Sequence, residues 1–136
     1  MTPKILSVDD SKTIRLVLAR LFRPFHCELL EAANGREGLE VATREKPDLI
    51  LLDYNMPIMD GAEMLRRMRA ETELKRTPVL VLTAQSSPEA VATMARLAVR
   101  DYVTKPFRDE ELLAKVGRIV QLVPRAEPGT QTSPST

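Results

Sequence analysis

Between Asp48 and Asp53 the chain runs Leu-Ile-Leu-Leu without a polar residue. A strand with one wet face alternates, so a run that is apolar at every position needs cover on both sides, as a central strand of a parallel sheet has. The run breaks at Tyr54-Asn55-Met56-Pro57, where proline ends regular pairing.

Similar short runs recur, separated by segments with helical spacing. Ile5, Leu6 and Val8 precede Ile14, Val17, Leu18 and Leu21, a one-faced helix that stops near Pro24 and has Ser11 or Asp10 to cap it. Cys27 to Ala32 reads as a second strand, and Asn34-Gly35 turns into a helix carrying Leu39 and Ala42 that ends before Pro47. After Asp53 a third helix follows Gly61 with Leu65 and Met68, and Pro78 opens the strand Val79 to Leu82. Ser87-Pro88-Glu89 starts a helix whose inner face is Val91, Met94 and Ala95. Asp101 to Thr104 is a fifth strand, and Leu112, Leu113, Val116, Ile119, Val120 and Val123 form the stripe of a last helix. Five βα units in sequence predict an α/β fold, a doubly wound parallel sheet between helices.

Composition sets the limits. The 136 residues, 43% of them apolar, suffice for one core, with a domain over residues 1–123 and a Pro/Ser/Thr-rich flexible tail or truncated linker over 124–136. Lys+Arg 20 against Asp+Glu 19 leaves +1, too little for a nonspecific nucleic-acid field, so no direct nucleic-acid binding is expected. The single Cys27 reads as a buried small hydrophobe and excludes an internal disulfide or a CxxC pair. With no membrane-length apolar run and no signal-like start, a cytoplasmic protein away from membranes is expected.

In such a sheet the loops after the strands' carboxyl ends gather on one edge, where ligands bind. The strands there deliver Asp9-Asp10, Asp53, Thr83-Ala84 and Lys105-Pro106. Three carboxylates brought together repel unless a cation offsets them, and hard oxygen ligands favour Mg²⁺. Asp53 is a carboxylate nucleophile, while Lys105 and Thr83 suit phosphoryl oxygens, which makes phosphoryl transfer to Asp53 the expected reaction. By itself Asp9-Asp10 reads as a helix cap with a solvated neighbour; Asp53 and Lys105 give it a site. The basic stretch Arg66, Arg67, Arg69, Lys75 and Arg76 reads as a solvated face, with a docking patch as the alternative.

Asp9-Asp10, Asp53 with Met56-Pro57 and Asp60-Gly61 behind it, Thr83-Ala84, and Tyr102 before Lys105-Pro106 closely resemble CheY-like receiver domains of two-component response regulators, over residues 4–123. The resemblance implies a flavodoxin-like (βα)5 three-layer sandwich with strand order 2-1-3-4-5. It implies that Asp53 accepts a phosphoryl group from a histidine kinase or histidine phosphotransfer domain, with Asp10, Asp53 and the Asn55 main-chain carbonyl on Mg²⁺ and Asp9 acting through water. Lys105, Thr83 and the Ala84 amide would hold the phosphoryl oxygens, and Thr83 and Tyr102 would switch the face of the fourth helix, fifth strand and fifth helix toward an output protein. Asn55 and Gln85 would tune phosphate lifetime, and Lys105-Pro106 would be cis. The expected assembly is a monomer or a phosphorylation-dependent dimer. Such a chain is a signalling switch rather than an enzyme, with slow self-hydrolysis of the acyl phosphate. The alternatives are the regulatory domain of a longer regulator with DNA-binding or cyclic-dinucleotide output, an Asp-nucleophile phosphohydrolase, and a phosphate-independent pseudo-receiver. Two departures stand out: Ala98-Val99 where Gly-Ala is common, costing about 1 kcal/mol if Ala98 takes positive φ, and Arg108 in place of a capping residue, leaving Asp109 as the nearer cap.

Overall fold

The computed structural model describes residues 2–84 and 87–125. Five strands, β1 (Lys4–Val8), β2 (Glu28–Ala32), β3 (Leu49–Asp53), β4 (Val79–Thr83) and β5 (Asp101–Thr104), alternate with α1 (Lys12–Phe22), α2 (Gly35–Glu45), α3 (Gly61–Ala70), α4 (Pro88–Arg96) and α5 (Asp109–Gly117). All pairings are parallel and the order is β2-β1-β3-β4-β5. This is the flavodoxin-like arrangement that the family resemblance implies.

The two-residue repeat of each strand divides the core. Leu6, Val8, Ile50, Leu52, Val79 and Val81 point one way and pack with Val41, Ala42, Met64, Leu65, Met68, Ala90 and Met94 of α2, α3 and α4. Ile5, Leu49, Leu51, Leu80, Leu82 and Val103 point the other way, onto Leu18 and Phe22 of α1 and Leu112 and Val116 of α5. β3 and β4 are buried at every position, as their unbroken apolar runs require.

Helix starts follow capping chemistry. Ser11, Asn34, Asp60 and Ser87 each accept a hydrogen bond from the main-chain N–H three residues on, and Pro88 occupies the first turn of α4. At α5 the sequence expectation fails. The N-cap is Arg108 with no side-chain bond, and Asp109, Glu110 and Glu111 lie inside the first turn, where they offset the helix dipole.

Three further expectations change. Val17 is 37% exposed, because the inner face of α1 turns toward Leu18 and Phe22. In α4 the buried partner of Met94 is Ala90 rather than Ala95. The last helix stops at Gly117 and Val123 leaves the stripe, while Ile119 and Val120 still pack beside Leu112 and Val116 past its end: Arg118 and Ile119 donate to carbonyls three residues back, tightening the end. The following chain crosses under the α1–β2 loop, where Phe25 and Pro124 form an antiparallel bridge and His26 N–H donates to Val123 O at 2.6 Å. Arg125 donates from its main chain to Pro24 O and from its guanidinium to Arg23 O and Cys27 O. Ordered contacts thus reach Arg125, beyond the 1–123 expected for the domain, while residues 126–136 of the expected tail lie outside the described residues. Cys27 is buried as expected, and burial pushes its thiol pKa up.

Arg69 is not part of a solvated basic face. Its guanidinium turns inward to the carbonyls of Leu74, Lys75 and Thr77 after α3 and of Leu97 and Ala98 after α4. Arg66 and Arg67 both pair with Glu63, which lowers the carboxyl pKa of that residue. Among the described residues no helix is long and apolar enough to cross a membrane.

Candidate functional site

Strand order reverses between β1 and β3, which opens a crevice at the carboxyl edge. Val8 pairs with Leu52, so the next residues along, Asp9 just past β1 and Asp53 at the last position of β3, stand side by side. Asp53 is 8% exposed and Asp9 2%, whereas Asp10 is exposed. Ligand oxygens of all three carboxylates lie within 4.8 Å of one another.

Lys105 reaches this cluster from the end of β5. Its Nζ donates to Asp9 Oδ2 at 2.8 Å and stands 3.5 Å from Asp53 Oδ2. The lysine is held at its base, because its main-chain N–H donates to Thr83 O at 2.8 Å; as expected, the Lys105-Pro106 bond is cis. Asp9 also accepts the Ser11 N–H at 2.9 Å, so both its oxygens are engaged. The guanidinium of Arg15 donates to the Asp9 main-chain oxygen, fixing the turn out of β1.

Asp53 takes the main-chain N–H of Asn55. Burial first, and then the Asp9 charge, push its pKa up to about 6, against the opposing pull of Lys105 and the Asn55 hydrogen bond; Asp10 adds a smaller push upward. Three carboxylates against one ammonium leave the pocket two charges negative when all are ionised. Hard oxygen donors at this spacing, with charge left over, fit a divalent ion that takes oxygens at about 2.1 Å and leaves opposite ligands roughly 4 Å apart. The donor set therefore fits Mg²⁺.

The loop from Tyr54 to Asp60 springs from Asp53 and closes on itself. Gly61 N–H donates to Tyr54 O at 2.9 Å, and a Cβ on Gly61 would strike the main-chain oxygen of Asp53, so glycine is required where α3 begins. Gly35 N–H donates to Met59 O at 2.9 Å from the other side. Within the loop, Met59 N–H donates to Pro57 O at 2.7 Å around Ile58, whose φ is 70°. That is a γ-turn of the rare, strained hand.

Of the residues expected at a site, the structure brings Asp9, Asp10, Asp53 and Lys105 together. Thr83 ends β4 on the same edge, 1% exposed, and Ala84 follows it, exposed. Asn55 is exposed in the loop. Tyr102 is half-buried and packs with the core on the α4 side. Gln85, expected to tune phosphate lifetime, lies outside the described residues. Ser11 as a donor to Asp9 and Arg15 as a clamp on its carbonyl were not foreseen. Ser11 was read only as a cap, and nothing in the spacing of Arg15 marks a main-chain carbonyl as its target.

A family model described as the response regulator receiver domain matches residues 5–117. The chain belongs to this family. It is 36% identical over 122 residues to sporulation initiation phosphotransferase F of Bacillus subtilis, covering 90% of this chain and 97% of that protein. It is 35% identical over 119 residues to chemotaxis protein CheY-3 of Vibrio cholerae, covering 87% and 92%. Among solved structures, Vibrio cholerae CheY4 superposes with a TM-score of 0.82 at 35% identity, over 88% of this chain and all of that one. The receiver domain of a Pseudomonas aeruginosa sensor histidine kinase, solved with a magnesium ion coordinated in its active-site cleft, superposes at 0.80 with 28% identity, over 88% and 98%. Receivers are signalling switches of two-component systems, with aspartyl phosphorylation and Mg²⁺ binding in an acidic pocket as general features. They work with histidine kinases or phosphotransfer proteins on one side and output proteins on the other.

Proposed function

We propose that this receiver takes a phosphoryl group on Asp53 from a phosphohistidine of a kinase or phosphotransfer domain and passes the signal to a partner protein. The observation that carries the reading is the crowding of Asp53 by Asp9, Asp10 and Lys105 at the rim of the sheet. An oxygen of the Asp53 carboxylate attacks phosphorus, the phosphorus–nitrogen bond of the donor breaks, and the imidazole leaves with the electron pair. Asp10, Asp53 and the Asn55 carbonyl would hold Mg²⁺, with Asp9 acting through water. When bound, the ion offsets negative charge on the phosphoryl oxygens.

Lys105 supplies a fixed positive charge to those oxygens, with the Thr83 hydroxyl and the Ala84 amide as further donors. A phosphoryl group drawing on Lys105 weakens its 2.8 Å bond to Asp9, so phosphorylation rearranges the pocket rather than only adding to it. Movement of Thr83 toward the group frees space for Tyr102, which biases the face of α4, β5 and α5 between two states. Neither Asn55 nor Gln85 carries a general base, so self-dephosphorylation is slow. The module spans residues 1–123, with Pro124 and Arg125 fastening the chain that follows it to the α1–β2 loop, and acts in the cytoplasm. Asn55, rather than a carboxylic acid, two residues past the nucleophile argues against a phosphohydrolase, since no acid is there to protonate a leaving group.

The deciding experiment is intact-mass analysis with Mg²⁺ and acetyl phosphate. The parent gains one phosphoryl group and Asp53→Asn gains none; equal gain in both rejects the assignment.

A further inference from the structure

Two of the three carboxylates at the rim are held through their own oxygens. Asp9 accepts the Ser11 N–H at 2.9 Å and Lys105 Nζ at 2.8 Å, and Asp53 accepts the Asn55 N–H and stands 3.5 Å from Lys105. Asp10 is exposed, and among the described residues no hydrogen bond or ion pair holds its carboxylate. Its place beside the other two is therefore set by the main chain that carries it.

That main chain is fastened on both sides of Asp9. The Asp9 N–H donates to Ala32 O at 3.0 Å, and the Asp9 carbonyl oxygen accepts from the Arg15 guanidinium at 2.6 Å. This carbonyl belongs to the Asp9–Asp10 peptide, whose atoms from one Cα to the next are coplanar, so a bond to its oxygen orients the plane and with it the Cα of Asp10. Arg15 is anchored in turn, because its Nε donates to Glu31 Oε1 at 3.1 Å, beside Ala32 at the end of β2. A rigid guanidinium holds both partners at once; the ammonium of a lysine has no such fork.

Nothing in α1 itself calls for a cation at this place. The first turn of the helix holds no acid, and Arg15, at the end of that turn, sets its charge against the helix dipole. Its side chain is nonetheless only 18% exposed, drawn in toward the edge where β1 and β2 end.

We propose that Arg15 is a positioning residue for the divalent-ion site: anchored on Glu31, it orients the Asp9–Asp10 peptide and so sets the affinity of the pocket for Mg²⁺. This rests on the reading of the pocket as a Mg²⁺ site. Contacts that orient a metal ligand from outside are commonly worth ten- to a hundredfold in metal affinity. A role through charge alone has the opposite sign, since removing a cation beside an acidic pocket tightens the binding of another. A role in stability alone lowers the melting temperature in EDTA and leaves the affinity where it was.

The test is a titration with magnesium chloride at pH 7.5, the dissociation constant being read by calorimetry and from the rise in melting temperature. Arg15→Met and Arg15→Lys both raise the constant about tenfold, and Glu31→Gln raises it at least threefold. Arg20→Met, which removes an exposed cation farther along α1, leaves it within twofold. In labelling with acetyl phosphate, the Mg²⁺ concentration at half-maximal rate rises in the same proportion for each variant, while the rate at saturating Mg²⁺ stays within threefold of the parent. A parent that binds no Mg²⁺ overturns the reading of the pocket and this proposal with it. A parent that binds the ion, with Arg15→Met or Arg15→Lys binding it tighter or less than threefold weaker, overturns the proposal alone. A loss confined to the saturating rate does the same. Should neither Arg15 variant fold, Glu31→Gln decides, and a change of less than threefold there overturns the proposal.

Discussion

Asp53 is held at a cost to the fold that can be measured. Its carboxyl pKa is about 6 in the folded protein against 3.8 for an ordinary Asp. The folded state thus binds a proton more readily than the unfolded chain, and stability falls as pH rises through this window. Below pH 4 the group is protonated in both states and costs nothing; above about pH 6 the full penalty stands, about 3 kcal/mol from the size of the shift. Asp53→Asn, neutral at every pH, should match the metal-free parent near pH 4 and exceed it by about that amount at pH 7.5. Urea denaturation in EDTA at both pH values checks this, and a pH-independent difference contradicts the burial argument. Ser7 is a quieter case. Its Oγ, on β1 and 1% exposed, has no hydrogen-bond partner among the described residues, so Ser7→Ala should leave stability unchanged or raise it by about 1 kcal/mol, read from the same denaturation curves.

The strands were legible because a buried parallel strand announces itself in unbroken apolar residues, and with them came the rim that holds Asp9, Asp53, Thr83 and Lys105. Helix orientation was less so. Val17 and Leu18 are equally apolar, and only packing against β2 and α5 decides which faces inward. The end of α5 was overrun because Ile119, Val120 and Val123 keep a helical period, while the hydrogen bonds that hold Val123 and Arg125 against the α1–β2 loop join them to residues about a hundred positions earlier. Arg69 was read as surface charge for the same reason, since its carbonyl partners after α4 are 28 and 29 residues away. Those carbonyls meet at the α4–β5 turn, where Ala98 has φ 59°, the positive value on which the departure from Gly-Ala depended. Ala98→Gly should therefore stabilise the domain by about 1 kcal/mol, offset in part by glycine's freedom in the unfolded chain. Arg69→Met, which strands several carbonyls at once, should cost about 2–3 kcal/mol. Thermal melts of the two variants move in opposite directions if the turn is strained and clamped as described; a shift of the same sign in both removes that account.

Charge over the molecule is nearly balanced at +1, yet the rim of the sheet concentrates negative charge that Lys105 does not cancel. Divalent binding to this rim would act on folding as a whole, since an ion held by Asp10 and Asp53 in the folded chain loses its site on unfolding. Stabilisation then grows with the logarithm of concentration, about 2.7 kcal/mol at a hundred times the dissociation constant. The melting temperature should climb steadily with Mg²⁺ at pH 7.5, and EDTA should reverse the climb. At pH 5 the same titration should give a smaller rise, because Asp53 with its raised pKa is then mostly protonated and the ion must displace that proton. Asp10→Asn should flatten the response at both pH values, whereas Arg67→Gln, exposed on α3 and paired with Glu63, should leave it intact. The joint dependence on pH and on Asp10 separates a site from general ionic screening, which would shift both variants alike. A melting temperature indifferent to Mg²⁺ in the parent would mean that the carboxylates at the rim serve Lys105 alone.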